Sequence, residues 1–287
     1  MKKNLIFLFC FLPLFFGSLT AQLRPVEIKI SYEVDGSFSF NSLNYDFCEY
    51  YVNINFPEIN GYTTRGSIPY YGTIDTTPRK LLTIKRLSDA FSYGYTWNYS
   101  YYRGSIYVDL NLDYLYALPV KSGDSIRISR SNGHDLELVF NLRYAGDTVY
   151  ACRSGMVCNN NFDIYASREN KFTVYHKDKS FSEYSGYVSA LVYPGHFVNI
   201  GDPILLVKSD EKGEKSVKFK TYFLDKNKVK NPDTGYKYTP FLPLFHTVNA
   251  GDVKPGENIT YIAGISEKMI MQELSKSELK KFEKNKK

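Results

Sequence analysis

The sequence predicts an all-β protein: an N-terminal β-sandwich, a second β domain and a short C-terminal helix. Three observations carry this. Tyr and Phe, which suit a pleated and half-buried surface, number 26 and 20 in 287 residues. Turn signals centred on Gly, Asn and Asp recur between short apolar runs. Windows rich in Ala, Leu, Glu and Lys, which would mark helices, are missing until the end of the chain.

The chain opens with MKKNLIFLFCFLPLFFGSLTAQ. Two lysines, an apolar run and small residues before Gln22 have the pattern of a secretory signal, residues 1–21, cut after Ala21. The apolar run is about 12 residues, short of the ~20 that a spanning helix needs, and no later segment is apolar enough to cross a membrane. Cys10 inside the run leaves a lipoprotein leader as the alternative. Export is therefore expected, to the periplasm, the outer membrane or the medium. The formal charge of +6 falls by two when Lys2 and Lys3 leave. A balance so slight and so evenly spread gives no reason to expect nucleic acid as a partner.

Residues 22–119 are expected to form the sandwich, with turns at VDG (34–36), EING (58–61) and NLD (111–113). In YGYTWNYSYY, Tyr93, Tyr95, Trp97, Tyr99 and Tyr101 fall on one face of a strand and Gly94, Thr96, Asn98 and Ser100 on the other. Such a row can stack sugars, but large side chains in line fit the inner layer of a sandwich better.

Residues 120–230 form the second domain. Its short strands are separated by turns at Gly123-Asp124, Gly146-Asp147, Ser154-Gly155, Lys177-Asp178, Pro194-Gly195, Gly201-Asp202 and Lys212-Gly213, and no helix is needed. Residues 231–287 are a C-terminal extension. In it EKMIMQEL (267–274) reads as a last strand and SKSELKKFEKNKK (275–287) as a short basic helix. Ser275 and Glu278 make a capping box, and the lysines suit the helix's negative pole.

Cys48, Cys152 and Cys158 remain beyond the leader. They allow one disulfide and a free thiol, or three small buried hydrophobes. Cys152 and Cys158 flank the Ser154-Gly155 turn without facing each other, which disfavours that bridge. The chain shows no Gly-x-Ser-x-Gly elbow, phosphate loop, dinucleotide fingerprint or paired-cysteine zinc motif. Carboxylate pairs such as Asp109 with Asp113, or Asp163 with Glu169, are ordinary on solvated strands.

Three segments resemble, in order, motifs of the lysostaphin-type zinc endopeptidases, metallopeptidase family twenty-three. They are GDTVYACRSGMV (146–157), NKFTVYHKDKSFSEYSGY (170–187) and VYPGHFVNIGDPI (192–204). The resemblance extends over nearly the whole chain beyond the leader and implies a lysostaphin-like domain at 120–230. In that family zinc is held by a His, an Asp and the second His of a His-x-His pair, leaving a position for water. Two further histidines act on the proton and the oxyanion.

Carried over one at a time, these positions are empty of ligands. The ligand Asp falls on Val139 or Phe140 in ELVFNLRYAG, and Asn141 stands at the motif's second Asp. The preceding His has no clear counterpart in the shortened loop SNGHDLEL, where His134 and Asp135 are weak remnants. Gly186 stands where the Glu-Tyr-x-His strand would carry its histidine, and Ser216 and Lys218 stand at His-x-His. A lysine there opposes a dication. Of the remaining histidines, His176 matches a family histidine outside the metal set, and His196 and His246 lie in turns or loops.

The resemblance thus implies a degenerate member with no catalytic residue, no metal and no cofactor. Its expected role is non-catalytic, in the cell envelope, binding peptidoglycan or an envelope protein through a groove whose contacts would be Tyr184, Tyr187, Lys218 and Lys220. The alternatives are an active zinc endopeptidase on cell-wall peptides with an atypical ligand set, and a structural or adhesion component.

Overall fold

The computed structural model describes residues 24–131, 136–160, 170–209, 213, 215–231 and 233–285. The expected leader, His134, Asp135, Asp163 and Glu169 lie outside them.

The fold is all-β. The N-terminal part contains β1 (Val26–Tyr32), β2 (Phe38–Asn44), β3 (Tyr50–Asn60), β4 (Tyr62–Thr64), β5 (Tyr70–Ile74), β6 (Arg79–Arg86) and β7 (Gly94–Arg103). These make two antiparallel sheets, ordered β1-β2-β6-β4 and β5-β3-β7. The β3–β4 turn requires glycine. Gly61 sits at φ +73°, and a Cβ there would meet the carbonyl of Ser92 at 2.2 Å.

The aromatic row of β7 faces inward as expected. Tyr95 stacks on Phe38 with centroids 4.6 Å apart, and Trp97 meets Phe40 edge-on at 5.0 Å. Alternation along β7 leaves Thr96, Asn98 and Ser100 exposed, as a strand with one buried face demands.

The remaining strands are β8 (Leu115–Tyr116), β9 (Ser125–Arg130), β10 (Leu138–Asn141), β11 (Thr148–Tyr150), β12 (Gly155–Val157), β13 (Asn170–Tyr175), β14 (Phe181–Gly186), β15 (Val188–Ala190), β16 (Phe197–Val198), β17 (Pro203–Val207), β18 (Ser216–Leu224), β19 (Tyr238–Phe241), β20 (Leu244–Thr247), β21 (Gly251–Val253) and β22 (Ile259–Ile262). A large sheet runs β16-β12-β13-β14-β18-β10-β9-β22, with β19 also paired to β18. One of its faces packs on the small sheet β11-β17-β15. Phe172, Val174, Tyr184, Val217 and Phe219 meet Val149, Leu205 and Val207 there in one buried cluster. From the opposite face Tyr175, Phe181 and Tyr222 enter the sandwich's own cluster beside Val52, Ile54 and Tyr50.

Among the described residues there are also three helices: α1 (Lys226–Lys230), α2 (Glu267–Met271) and α3 (Lys276–Asn285). The last matches the expected basic helix, and its capping box is formed. Ser275 N–H donates to Glu278 Oε2 at 2.7 Å, and Glu278 N–H to Ser275 Oγ at 3.3 Å.

Two expectations need correction. EKMIMQEL is not a strand: its first five residues are α2, and the last strand is β22. A helix buries one side of a turn. Met269 is 2% exposed against Leu115 and Ala117 while neighbouring Ile270 is 40% exposed. The segment 120–230 also ends in one helical turn, α1, nucleated by Asp225. Its carboxylate accepts the N–H groups of Asn227 and Lys228.

Candidate functional site

The positions at which the resemblance expects metal and catalytic residues lie on β10, β14 and β18, three neighbours in the large sheet. Register brings them together. Lys218 pairs with Val139 on one side and Ser185 on the other, and Ser216 pairs with Asn141. Of the two candidates for the ligand Asp position, Val139 is the one that shares a face with Lys218. Phe140 points the other way, fully buried against Phe219 and Phe245 at 5.8 and 5.9 Å.

Gly186 ends β14 at φ +144°, and a Cβ there would lie 3.0 Å from the carbonyl of Ser216. The backbone has settled into a conformation that suits glycine, so an imidazole at this position would be strained. Val139, Gly186, Ser216 and Lys218 thus form one patch that offers methyl groups, a hydroxyl and an ammonium. Zinc takes imidazole, thiolate or carboxylate, and these four residues do not fit it.

Beside the patch is a feature absent from the sequence reading. Glu183, 6% exposed, holds the Lys220 ammonium at 3.1 Å and that of Lys171 at 3.9 Å on Oε1, and accepts from Tyr222 Oη at 3.2 Å on Oε2. Burial, the largest single influence, pushes the Lys220 pKa down, but the charge and hydrogen bond of Glu183 together with the fields of Tyr236 and Glu137 outweigh it, and the net shift is upward. Ammonium groups occupy the side of this carboxylate on which a cation would bind.

Of the expected groove contacts, Lys218 and Lys220 lie on the face opposite Val217 and Phe219, as strand alternation requires, and Tyr187 is half-buried. Tyr184 is a correction. It is fully buried on the core face, and its phenol oxygen accepts the N–H of Cys152 at 2.8 Å. Glu183 and Tyr184 are consecutive on a strand, so only one can face the patch.

The described histidines are engaged elsewhere. His176, 1% exposed, places Nδ1 2.7 Å from the Ser154 carbonyl and Nε2 2.7 Å from Ser182 Oγ. Burial first, and the Arg153 charge second, push its pKa down to about 3. His196 contacts the Tyr193 carbonyl within its turn at 3.0 Å, and His246 contacts Asp252 at 2.6 Å. Asp109 and Asp113 are exposed. A cleft of about 260 Å³ at the end of β10 is lined by Lys121, Asp124, Asn141, Arg143, Tyr144 and Asp147 among others, and does not include Val139, Gly186, Ser216 or Lys218.

Sequence reasoning missed Lys171 and Tyr222, which join Glu183 only through strand pairing, and a buried trio of Asp46, Cys48 and Cys158. Among the described residues, no helix is long and apolar enough to cross a membrane.

No protein-family model matches the chain, and no curated protein matches it. Among solved structures it is similar to Csd3 of Helicobacter pylori, at 12% identity and a TM-score of 0.29, over 91% of this chain and 77% of that one. It is also similar to a zinc-containing peptidase from Vibrio cholerae, at 15% identity and a TM-score of 0.26, over 68% of this chain and 74% of that one.

Proposed function

We propose that the chain is an exported, non-catalytic peptidase-like protein of the cell envelope that binds peptidoglycan or an envelope protein. One observation supports this most: the positions that should hold a zinc and its catalytic histidines meet in a single patch, yet carry Val139, Gly186, Ser216 and Lys218. Hydrolysis of an amide by this route needs a metal-activated water, and the patch supplies no ligand for the metal. What it does supply is a polar strand face bearing cations, suited to an acidic cell-wall peptide or an acidic protein surface.

Two measurements on the chain lacking residues 1–21 test the reading. Elemental analysis after purification without chelators is expected to find no stoichiometric zinc. One zinc per chain that disappears in His134→Ala would restore the enzyme with an atypical ligand set. Co-sedimentation with isolated peptidoglycan is expected to retain the protein and to weaken severalfold when Lys218→Glu and Tyr187→Ala are combined. The thermal midpoint of that variant is followed in parallel to separate lost binding from lost fold. Binding unchanged in a folded double variant moves the contact surface away from this patch.

A further inference from the structure

We propose that Cys48 and Cys158 form a disulfide that fastens the N-terminal sandwich to the large sheet. Cys48 lies just ahead of β3 in the sandwich, and Cys158 directly follows β12 of the sheet. They are 2% and 0% exposed, and the Sγ atoms and the Asp46 carboxylate all lie within 4.8 Å of one another.

The backbone on either side is already held in register. Asp46 Oδ1 accepts the N–H of Asn159 at 2.6 Å, one residue beyond Cys158, and the N–H of Phe47 at 2.7 Å, one residue before Cys48. Arg103 spans the same junction, donating to the Tyr50 phenol oxygen at 3.0 Å and to the Asn159 carbonyl at 2.9 Å. The two thiols therefore face each other across a fixed seam. Burial, then contact with the Cys158 thiol, hold the Cys48 thiol well above the usual thiol range, so reduced Cys48 stays protonated and unreactive once the seam has closed.

A cation is the competing occupant, and the surroundings disfavour it. Beyond those two N–H groups, Asp46 accepts the Tyr50 hydroxyl at 2.8 Å on Oδ2 and pairs that oxygen with the Arg103 guanidinium at 3.1 Å. A dication would displace or repel a guanidinium whose side chain is only 12% exposed. Cys152 cannot substitute for either partner. It lies in the other buried cluster, and burial pushes its thiol up to about 12.

Formation is an exchange with a disulfide donor such as oxidised glutathione. One cysteine thiolate attacks the donor and expels a thiolate; the second attacks the mixed disulfide and expels the other. One S–S bond forms and one breaks, two protons leave the protein thiols, and the donor's two sulfurs take up the electron pair as thiols. Because both sulfurs are buried in the closed seam, the exchange belongs to folding. The bond then closes a loop of about 110 residues, a length at which cross-linking strongly restricts the unfolded chain.

The test refolds the reduced, denatured chain lacking residues 1–21 in a glutathione buffer, so its outcome does not depend on where the protein resides or on what it binds. In oxidising buffer, mass mapping of an unreduced digest should give a single linked pair, Cys48 with Cys158, lighter by two hydrogens than its reduced peptides. One thiol, Cys152, should titrate in denaturant. The thermal midpoint should stand roughly 10 °C above that of the reduced chain, a difference kept in Cys152→Ser and lost in Cys48→Ser. The mapping needs no variant, so misfolding of Cys48→Ser leaves the test intact. Three titratable thiols in the refolded protein, a link through Cys152, refolding only when reduced, or zinc bound by the reduced wild-type chain and absent from Cys48→Ser each overturn the proposal.

Discussion

At the scale of the residue, His176 gives the fold a pH response. Ser154 offers a carbonyl, so Nδ1 carries the proton and Nε2 accepts from Ser182 Oγ; the neutral ring is satisfied at both ends. Its pKa of about 3 lies below the unfolded value of 6.5. Between these values the unfolded chain binds a proton that the folded chain refuses, so stability falls as pH drops through that window and the contribution is complete above 6.5. At pH 5 the loss is about 2 kcal/mol. Asp178 adds to acid sensitivity only at lower pH. Burial, the largest single influence, raises its pKa, but the Arg153 guanidinium 3.0 Å away, His176 and the hydrogen bonds from Ser180 together carry it below the ordinary 3.8. Urea unfolding at pH 7 and pH 5 should therefore show a drop for the wild type that shrinks by about this amount in His176→Gln; equal drops would rule the assignment out. The candidate positions can be named from the sequence, because counting along NKFTVYHKDKSFSEYSGY and GEKSVKFK is enough to reach Gly186, Ser216 and Lys218, while their meeting on neighbouring strands comes from register. Facing was less so. The expectation that puts Tyr184 in the groove fails on alternation, because Glu183 beside it faces the patch and Tyr184 the core, and the choice between Val139 and Phe140 needs the pairing with Lys218.

At the scale of the element, the C-terminal segment divides into a fastened part and an attached one. Gln272 mimics a strand neighbour: its Nε2 donates to the Leu115 carbonyl and its Oε1 accepts the Leu115 N–H, both at 2.8 Å. Glu273 pairs with buried Arg153 at 2.6 Å, and its carbonyl accepts the Lys177 ammonium at 2.8 Å. Helix α3, by contrast, is mostly exposed. Deleting residues 275–287 should leave the unfolding free energy within about 1 kcal/mol of wild type, whereas Gln272→Ala, which strands a buried amide and carbonyl, should cost about 1–3 kcal/mol. A deletion as damaging as Gln272→Ala would assign α3 a role in the fold. The capping box that starts α3 could be read from sequence because it is local. The strand reading of EKMIMQEL failed because three successive apolar residues have no period of their own. What makes that segment a helix is a pocket formed by Leu115 and Ala117, far away in the chain.

At the scale of the whole molecule, composition and turn chemistry revealed the all-β class, since aromatic strands and Gly-Asp turns carry that signal locally. The way the parts meet depends on side chains more than a hundred residues apart. The sandwich's cluster is completed by Tyr175, Phe181 and Tyr222 from the large sheet, with Phe181 and Tyr222 stacked at 5.3 Å. Around that apolar seam Tyr175 Oη donates to Glu49 at 3.1 Å, Lys179 pairs with Glu49 at 2.6 Å, and Tyr238 Oη donates to the Arg103 carbonyl at 3.1 Å. Without the sheet, residues 22–119 would expose the apolar surface that these three rings cover, each ring amounting to roughly 150–250 Å² of buried area. The intact chain should therefore unfold in a single transition, and limited proteolysis should remove the tail beyond Leu274 before any cut separates the halves. Residues 22–119 produced alone should unfold at a lower midpoint and bind a hydrophobic dye. Early cleavage between 115 and 130 into two fragments that each keep a cooperative transition would show instead that the sandwich stands by itself and that the seam is only a contact.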